Sequence, residues 1–286
     1  MSTVVITGCS TGIGLETALA FARRGDTVIA TMRDLRKSTL LRQRAAADEL
    51  TIEIEQLDVV DDDSVVAAIT AIEARQGTID VLVNNAGVGY EGPIELLDSA
   101  KAYALFETNL WGPVRTIRAV LPGMRARRSG VIVNVGSVAG RVVPLPFHGF
   151  YAASKHAIGR ISEALAQEVA PFGVRVVNVE PGLFRTEIVA NSLVGPDESG
   201  PYAAHHEWVN EYFLGMNELG GDPTMVAASI VAASTSESPL HVPVGVDALM
   251  LVDADRGFAS FEDAAAFVTE FICGAVGRPR PLNVPS

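Results

Sequence analysis

Cations, cysteines, aromatic rings and long apolar runs are all scarce in this chain. Lysine and arginine total 22 against 34 acids, a formal net charge of −12. That balance argues against nucleic acid or an anionic membrane surface as a partner, because both select basic patches. A phosphate-bearing ligand would have to be held by a local device working against the overall field. The two cysteines, Cys9 and Cys273, stand at opposite ends of the chain; no disulfide framework is expected, and the usage suits a reducing cytosol. No apolar run approaches the roughly 20 residues that span a bilayer. "MSTVVITG" has neither a basic n-region nor a long apolar h-region, so neither a membrane span nor a signal peptide is expected, and the location is read as cytoplasmic. The five histidines (His148, His156, His205, His206, His241) show no metal-ligand spacing, and no metal is expected.

Apolar residues make up 48% of the 286 residues and charged ones 20%, enough to bury a large core. Short β-branched runs alternate with helical patterns. "TVVIT" (3–7), "TVIAT" (27–31), "TIEIEQLDV" (51–59), "IDVLVNN" (79–85), "GVIVNVGS" (130–137) and "VRVVNVEPG" (174–182) read as strands, and "VPVGVDALML" (242–251) as a seventh. The segments between them carry apolar residues at helical spacing, one of them a long stretch over 99–127. This β-α order predicts an α/β fold: a single-domain, doubly wound (Rossmann) parallel sheet of about seven strands, with ligands beyond the strands' carboxyl ends. Gly195-Pro196, Gly200-Pro201 and Gly220-Gly221 interrupt the rhythm over 188–222, which reads as an insertion across one face. A C-terminal helical extension, 252–286, includes an amphipathic helix near 261–273.

"VVITGCSTGIGLETALAF" is a strand, a glycine-rich turn and a helix. Gly8, Gly12 and Gly14 let backbone approach a pyrophosphate, and the helix beginning near Ile13 aims its free N–H groups at the anion. The spacing is G-x-x-x-G-x-G rather than G-x-G-x-x-G; its place after the first strand gives it force. At the end of the second strand, an acid would bind an unmodified ribose and an arginine a 2′-phosphate. Arg33 stands there with Arg36 and Lys37 nearby, which favours NADP(H) over NAD(H), although Asp34 adjoins it. A solvated loop of charges is the other reading of that cluster.

"YAASK" (151–155) places a phenol and an ammonium on one helix face. With five tyrosines and three lysines in the chain, random placement gives about 0.05 such pairs, so the spacing asks for a mechanism. "TGCSTGIG", "NNAG" (84–87), Asn109, Ser137, "YAASK" and "PGLFRT" (181–186) together resemble the classical short-chain dehydrogenase/reductases, in the family's order, over residues 3 to about 190. "TGCSTGIGLETA", "VIATMRDLRK" and the long C-terminal extension are most similar to the 17β-hydroxysteroid and retinol dehydrogenase branch.

The resemblance implies roles residue by residue. Gly8, Ser10, Thr11, Gly12, Ile13 and Gly14 would hold the phosphates, with Thr11 and Arg33 near a 2′-phosphate. Asp58 and Val59 would meet the adenine; Asn85, Ala86 and Gly87 would support the sheet and the ribose. Pro181, Gly182 and Thr186 would fix the nicotinamide carboxamide. The catalytic set would be Asn109, Ser137, Tyr151 and Lys155, with Tyr151 and Lys155 also touching the cofactor. Ser137 lies one residue further from Tyr151 than the family's common spacing; a loop absorbs that without moving its ends.

In such a site the tyrosine is the proton donor or acceptor. A phenol titrates near 10, so acting at neutral pH needs roughly 4 kcal/mol of preference for phenolate. One cation about 4 Å away at an effective dielectric near 20 supplies about that much, desolvation opposes it, and Ser137 and the oxidised nicotinamide ring must contribute. Residues 1–251 would then form the catalytic domain, with 188–222 as its substrate lid. Val142, Val143, Pro144, Leu145, Phe147 and Phe150, with Tyr202, Trp208, Tyr212, Phe213 and Met216 of the insertion, would make an apolar pocket for a bulky ketone or aldehyde and its alcohol; core packing is the rival reading of several. Competing functions are an NAD(H)-dependent secondary-alcohol dehydrogenase and a non-catalytic NADP-binding regulator. A homodimer or homotetramer is expected, paired through helices spanning roughly 99–127 and 151–170, where Ile161, Leu165 and Val169 suit either core or partner.

Overall fold

A computed structural model of the chain describes residues 1–188, 193–194, 200–235 and 237–281. Strands β1 (Thr3–Ile6), β2 (Thr27–Met32), β3 (Glu53–Gln56) and β4 (Val81–Asn84) alternate with helices α1 (Gly12–Arg23), α2 (Thr39–Ala47) and α3 (Asp62–Gln76). After a short β5 (Tyr90–Glu91) follow α4 (Ser99–Phe106), α5 (Gly112–Arg127), β6 (Gly130–Val135), α6 (Gly149–Val169) and β7 (Val174–Pro181). The chain continues through β8 (Leu193–Val194), α7 (Ala203–Leu219), α8 (Pro223–Thr235), β9 (His241–Val244), α9 (Val246–Asp255) and α10 (Phe261–Val276).

Seven strands form one sheet in the order β3-β2-β1-β4-β6-β7-β9, and every pairing is parallel. The reason lies in the strand sequences. β1, β4 and most of β6 and β7 are buried at consecutive positions, so both faces must be covered, and helical crossovers do that. One apolar layer joins the sheet to α1 and α8 through Leu15, Leu19, Val226 and Ile230; the other joins it to α3, α5 and α6 through Ile69, Ile72, Val120 and Leu165. Leu165 and Val169, which suited either core or partner, belong to this second layer. The chain winds outward from β1 to β3, then reverses from β4 to β9, so a crevice opens beyond the carboxyl ends of β1 and β4.

Three expectations change. The segment 242–251 is not one strand: β9 ends at Val244, Gly245 takes φ +109, and α9 begins at Val246. Ala248 and Val252, one turn apart, are its buried stripe, a helical period where a strand period was read. α9 also runs across the 251/252 boundary drawn from the sequence. The stretch 99–127 is broken: a π-helical turn, Glu107–Trp111, separates α4 from α5, just before Gly112-Pro113, where proline has no N–H for the helical ladder.

The inserted region folds back as α7, whose Trp208, Val209, Tyr212 and Phe213 form a cluster with Val268 and Ile272 of α10. Trp208 is therefore core, its Nε1 donating to the Arg278 carbonyl at 3.3 Å. Gly195 and Pro196, and the side chain of Met216, lie outside the described residues.

Candidate active site

A cavity of about 1010 Å³ runs along the carboxyl edge of the sheet, from Arg33 and Gln56 at one end to Phe271 at the other. Its walls include every residue that the sequence assigned to catalysis or cofactor binding except Gly14 and Asn109, and those two lie directly behind it.

At the first half, Gly8 (φ +74) and Gly12 (φ +58) take the left-handed conformation that glycine adopts without steric cost. A Cβ on Gly8 would come within 2.8 Å of the Ala86 Cα, and one on Gly14 would overlap the Gly8 carbonyl and the Asn85 amide. The loop is thus pressed onto the end of β4. Asn85 Nδ2 secures it by donating to the carbonyls of Thr7 and Gly8 at 2.9 and 3.0 Å. α1 begins at Gly12 without a side-chain cap, and Ser10, Thr11, Gly12 and Ile13 line the cavity at that point. Backbone N–H groups at a helix start, in a cradle only glycines fill, fit a pyrophosphate. Further out, Asp34 is engaged by Arg36, whose Nε and Nη2 donate to its two carboxylate oxygens at 2.9 Å each; that guanidinium holds Asp34 down at about 2. Arg33 lines the cavity beside them. The chain therefore fits a dinucleotide.

At the centre, α6 carries Tyr151 and Lys155 on one face. Lys155 is 6% exposed; its Nζ donates to the Val135 carbonyl at 2.9 Å and stands 5.9 Å from the Tyr151 ring centroid. Burial pushes this ammonium down to about 8. Burial pushes the Tyr151 phenol above its ordinary value, and a hydrogen bond with Ser137 pulls it back. The phenol thus sits between an acid-strengthening hydroxyl and a cation of weakened proton affinity. Ser137 is held at the start of a 3₁₀ turn, its Oγ accepting from Ala139 N at 3.2 Å. Gly140, ending that turn, lies against the backbone of Lys155 and His156, where a Cβ would collide.

Behind this group, buried Asn109 closes a two-bond clip on Val88, Oδ1 accepting from its N–H and Nδ2 donating to its carbonyl, both at 2.9 Å. Nδ2 also donates to Ser154 Oγ at 3.1 Å. The Asn109 Oδ1 and Lys155 Nζ flank Gly87, where a Cβ would lie 3.4 and 3.6 Å from them. The π turn thus ties α4–α5, the strand-end loop and α6 together.

The second half is apolar, with Val142, Val143, Pro144, Leu145, Leu183, Phe213 and Phe271 in its walls. Phe147 and Phe150, expected here, turn away. Phe147 adopts φ +67 and packs on His205 and His206, with centroids at 4.9 and 5.5 Å, while Phe150 packs on Tyr90 and Phe106. Sequence reasoning missed His148 and Asp247, both in the cavity wall, where Tyr212 stands as expected. His148 stacks on Phe213 at 4.2 Å and its ring stands 6.0 Å from that of Tyr151; burial pushes it down to about 4, so it is neutral at pH 7. No motif marks it, because its partner Phe213 is distant in sequence.

Known proteins give the same picture. Over 196 residues the chain is 46% identical to human retinol dehydrogenase 8, a match covering 67% of this chain and 61% of that protein; the chain thus spans about three fifths of that relative's length. A short-chain dehydrogenase from Streptomyces avermitilis superposes with a TM-score of 0.80 at 34% identity, covering 96% of this chain and 97% of that one. A metagenomic short-chain oxidoreductase in complex with NADP superposes with a TM-score of 0.67 at 28% identity, over 85% and 96% of the two chains. The family model described as short chain dehydrogenase matches residues 2–195. Sheet order, glycine loop and matched span agree: the chain belongs to the short-chain dehydrogenase family.

Proposed function

We propose that this protein is an NADP(H)-dependent oxidoreductase interconverting a hydrophobic ketone or aldehyde and its alcohol. One observation carries the reading: Ser137, Tyr151 and Lys155 meet where the phosphate-fitting half of a single cleft passes into its apolar half. A bound nicotinamide dinucleotide supplies hydride chemistry; the chain supplies everything else. Tyr151 gives its proton to the carbonyl oxygen, or takes one from the alcohol, and Ser137 donates a hydrogen bond to the same oxygen as charge develops. Lys155 steadies the phenolate by charge, and Asn109 holds the Gly87–Val88 loop against it. Gly8, Ser10, Thr11, Gly12, Ile13 and Gly14 hold the phosphates; Asp58, Val59, Asn85, Ala86 and Gly87 line the adenosine and ribose positions; Pro181, Gly182 and Thr186 take the carboxamide.

The NADP(H) preference is supported by Asp34 being occupied by Arg36, with Arg33 and Lys37 also in the cavity wall to face a 2′-phosphate, and by the NADP bound in the metagenomic relative. The substrate class is supported by the apolar second half of the cleft. The C-terminal residues join the same unit through the contact of α10 with the lid helix α7. Exposed Tyr103 and Trp111 on the outer face of the α4–α5 region suit pairing of two copies there.

A panel of carbonyls and alcohols run with NADPH and NADH tests the reading. Bulky apolar ketones should consume NADPH faster than NADH. Tyr151→Phe should lower turnover by roughly 10²–10⁴-fold while NADPH affinity stays within about twofold. Turnover of small hydrophilic polyols alone would overturn the substrate class; near-native rates in Tyr151→Phe would overturn the chemistry.

A further inference from the structure

One charged side chain in the apolar half of the cleft has no part in the chemistry above. Asp247 stands in the first turn of α9 and lines the main cavity. Its Oδ2 accepts a 2.7 Å hydrogen bond from the Leu183 N–H. The carboxylate lies so close to Gly182 that a Cβ there would overlap both oxygens, and one on Gly245 would come within 2.5 Å of Oδ1. Two glycines therefore make room for this carboxylate beside the Pro181–Leu183 turn. Its charge is felt within the cavity: after burial, it is the second cause raising the phenol of Tyr212, another wall residue. Among the described residues Asp247 has no ion-pair partner; the Leu183 N–H and the start of α9 stabilise it.

We infer that Asp247 is a positioning residue that favours the oxidised, cationic nicotinamide ring over the reduced, neutral one. This rests on the proposed function in one respect, that the Pro181–Gly182 side of the cleft takes the nicotinamide. The two redox forms carry the same phosphates and differ by one positive charge on the ring, so a fixed carboxylate discriminates between them by that charge alone. Buried Lys155 repels a cationic ring, and Asp247, in the wall of the same cavity, offsets it. In carbonyl reduction the hydride's electron pair goes to the carbonyl carbon, the proton of Tyr151 goes to its oxygen, and the ring is left more positive by one charge. A carboxylate beside the ring stabilises that charge as it forms, which makes bound NADPH the stronger hydride donor and biases bound reactants toward the alcohol.

The test is binding rather than turnover. The Kd of NADP⁺ and of NADPH are measured by calorimetry on the full chain and on Asp247→Asn, which keeps an oxygen acceptor for Leu183. The ratio Kd(NADP⁺)/Kd(NADPH) should rise about five- to tenfold in the variant, with the NADPH value nearly unchanged. Equal weakening of both forms would make Asp247 merely structural and overturn the inference, as would an unmoved ratio. Asp247→Ser, which also keeps an acceptor oxygen, gives the same reading should Asp247→Asn fold poorly. If the native chain bound neither form, the proposed function would fall along with the inference; an unmoved ratio with both forms bound sinks the inference alone.

Discussion

Arg33 and Asp34 show how a single neighbour changes the meaning of a charge. In sequence, the two side chains argue for opposite dinucleotides. In the folded loop Asp34 accepts from Arg36 through both oxygens and also caps the 3₁₀ turn that follows β2. Its charge is answered locally, and Arg33 lines the cleft beside it with no acid engaging it among the described residues. Arg33→Ala should therefore weaken NADPH binding by roughly tenfold, as expected for loss of one charge-assisted contact, and leave NADH nearly untouched; parallel fluorescence titrations measure both. Local spacing was enough to find Arg33, Tyr151 and Lys155, because each belongs to a motif only a few residues long. Asp247 was hidden for the opposite reason: its partners Gly182 and Leu183 are over sixty residues away.

Among the elements, the π turn Glu107–Trp111 is the part that periodicity could not supply. Helical spacing runs through 99–127 without a break, yet the extra residue in one turn carries Asn109 to the Val88 clip and to Ser154 on α6. Three hydrogen bonds on a residue 2% exposed make this junction sensitive. Asn109→Leu leaves the N–H and carbonyl of Val88 without these partners, and urea unfolding should show a loss of about 2–4 kcal/mol. Helix α7 is the second such case. Its aromatic spacing was compatible with pocket or core, and the fold divides it: Trp208 packs under α10 while Tyr212 and Phe213 reach the cleft. One amphipathic stripe serves both because α10 covers only part of it.

Over the whole molecule, a buried carboxyl beside α7 gives stability a pH dependence. Glu91 is 5% exposed, and burial pushes its carboxyl up to about 7; His206 of α7 lies 3.4 Å from it. Because the folded value lies above the unfolded one, the native state holds the proton more tightly. Stability is then greatest at low pH and falls as pH rises from about 4.5 to about 7, beyond which the cost of a buried carboxylate is fully present. Glu91→Gln should accordingly raise stability by roughly 1–3 kcal/mol at pH 8, with the difference shrinking toward zero near pH 4.5; thermal melts of both proteins across that range check the sign.

The residue sequence by itself determined the first six strand runs, the glycine cradle, the Tyr151–Lys155 face and the cations that follow the second strand. Each of these rests on backbone conformation or on neighbours within one or two turns, which chain chemistry dictates directly. Only the tertiary structure decided that 242–251 splits into strand and helix and that Phe147 and Phe150 leave the pocket. It alone brought His148 and Asp247 to the cavity wall. Those outcomes depend on contacts between segments far apart in the chain, where packing and burial, rather than local propensity, set the lowest free energy.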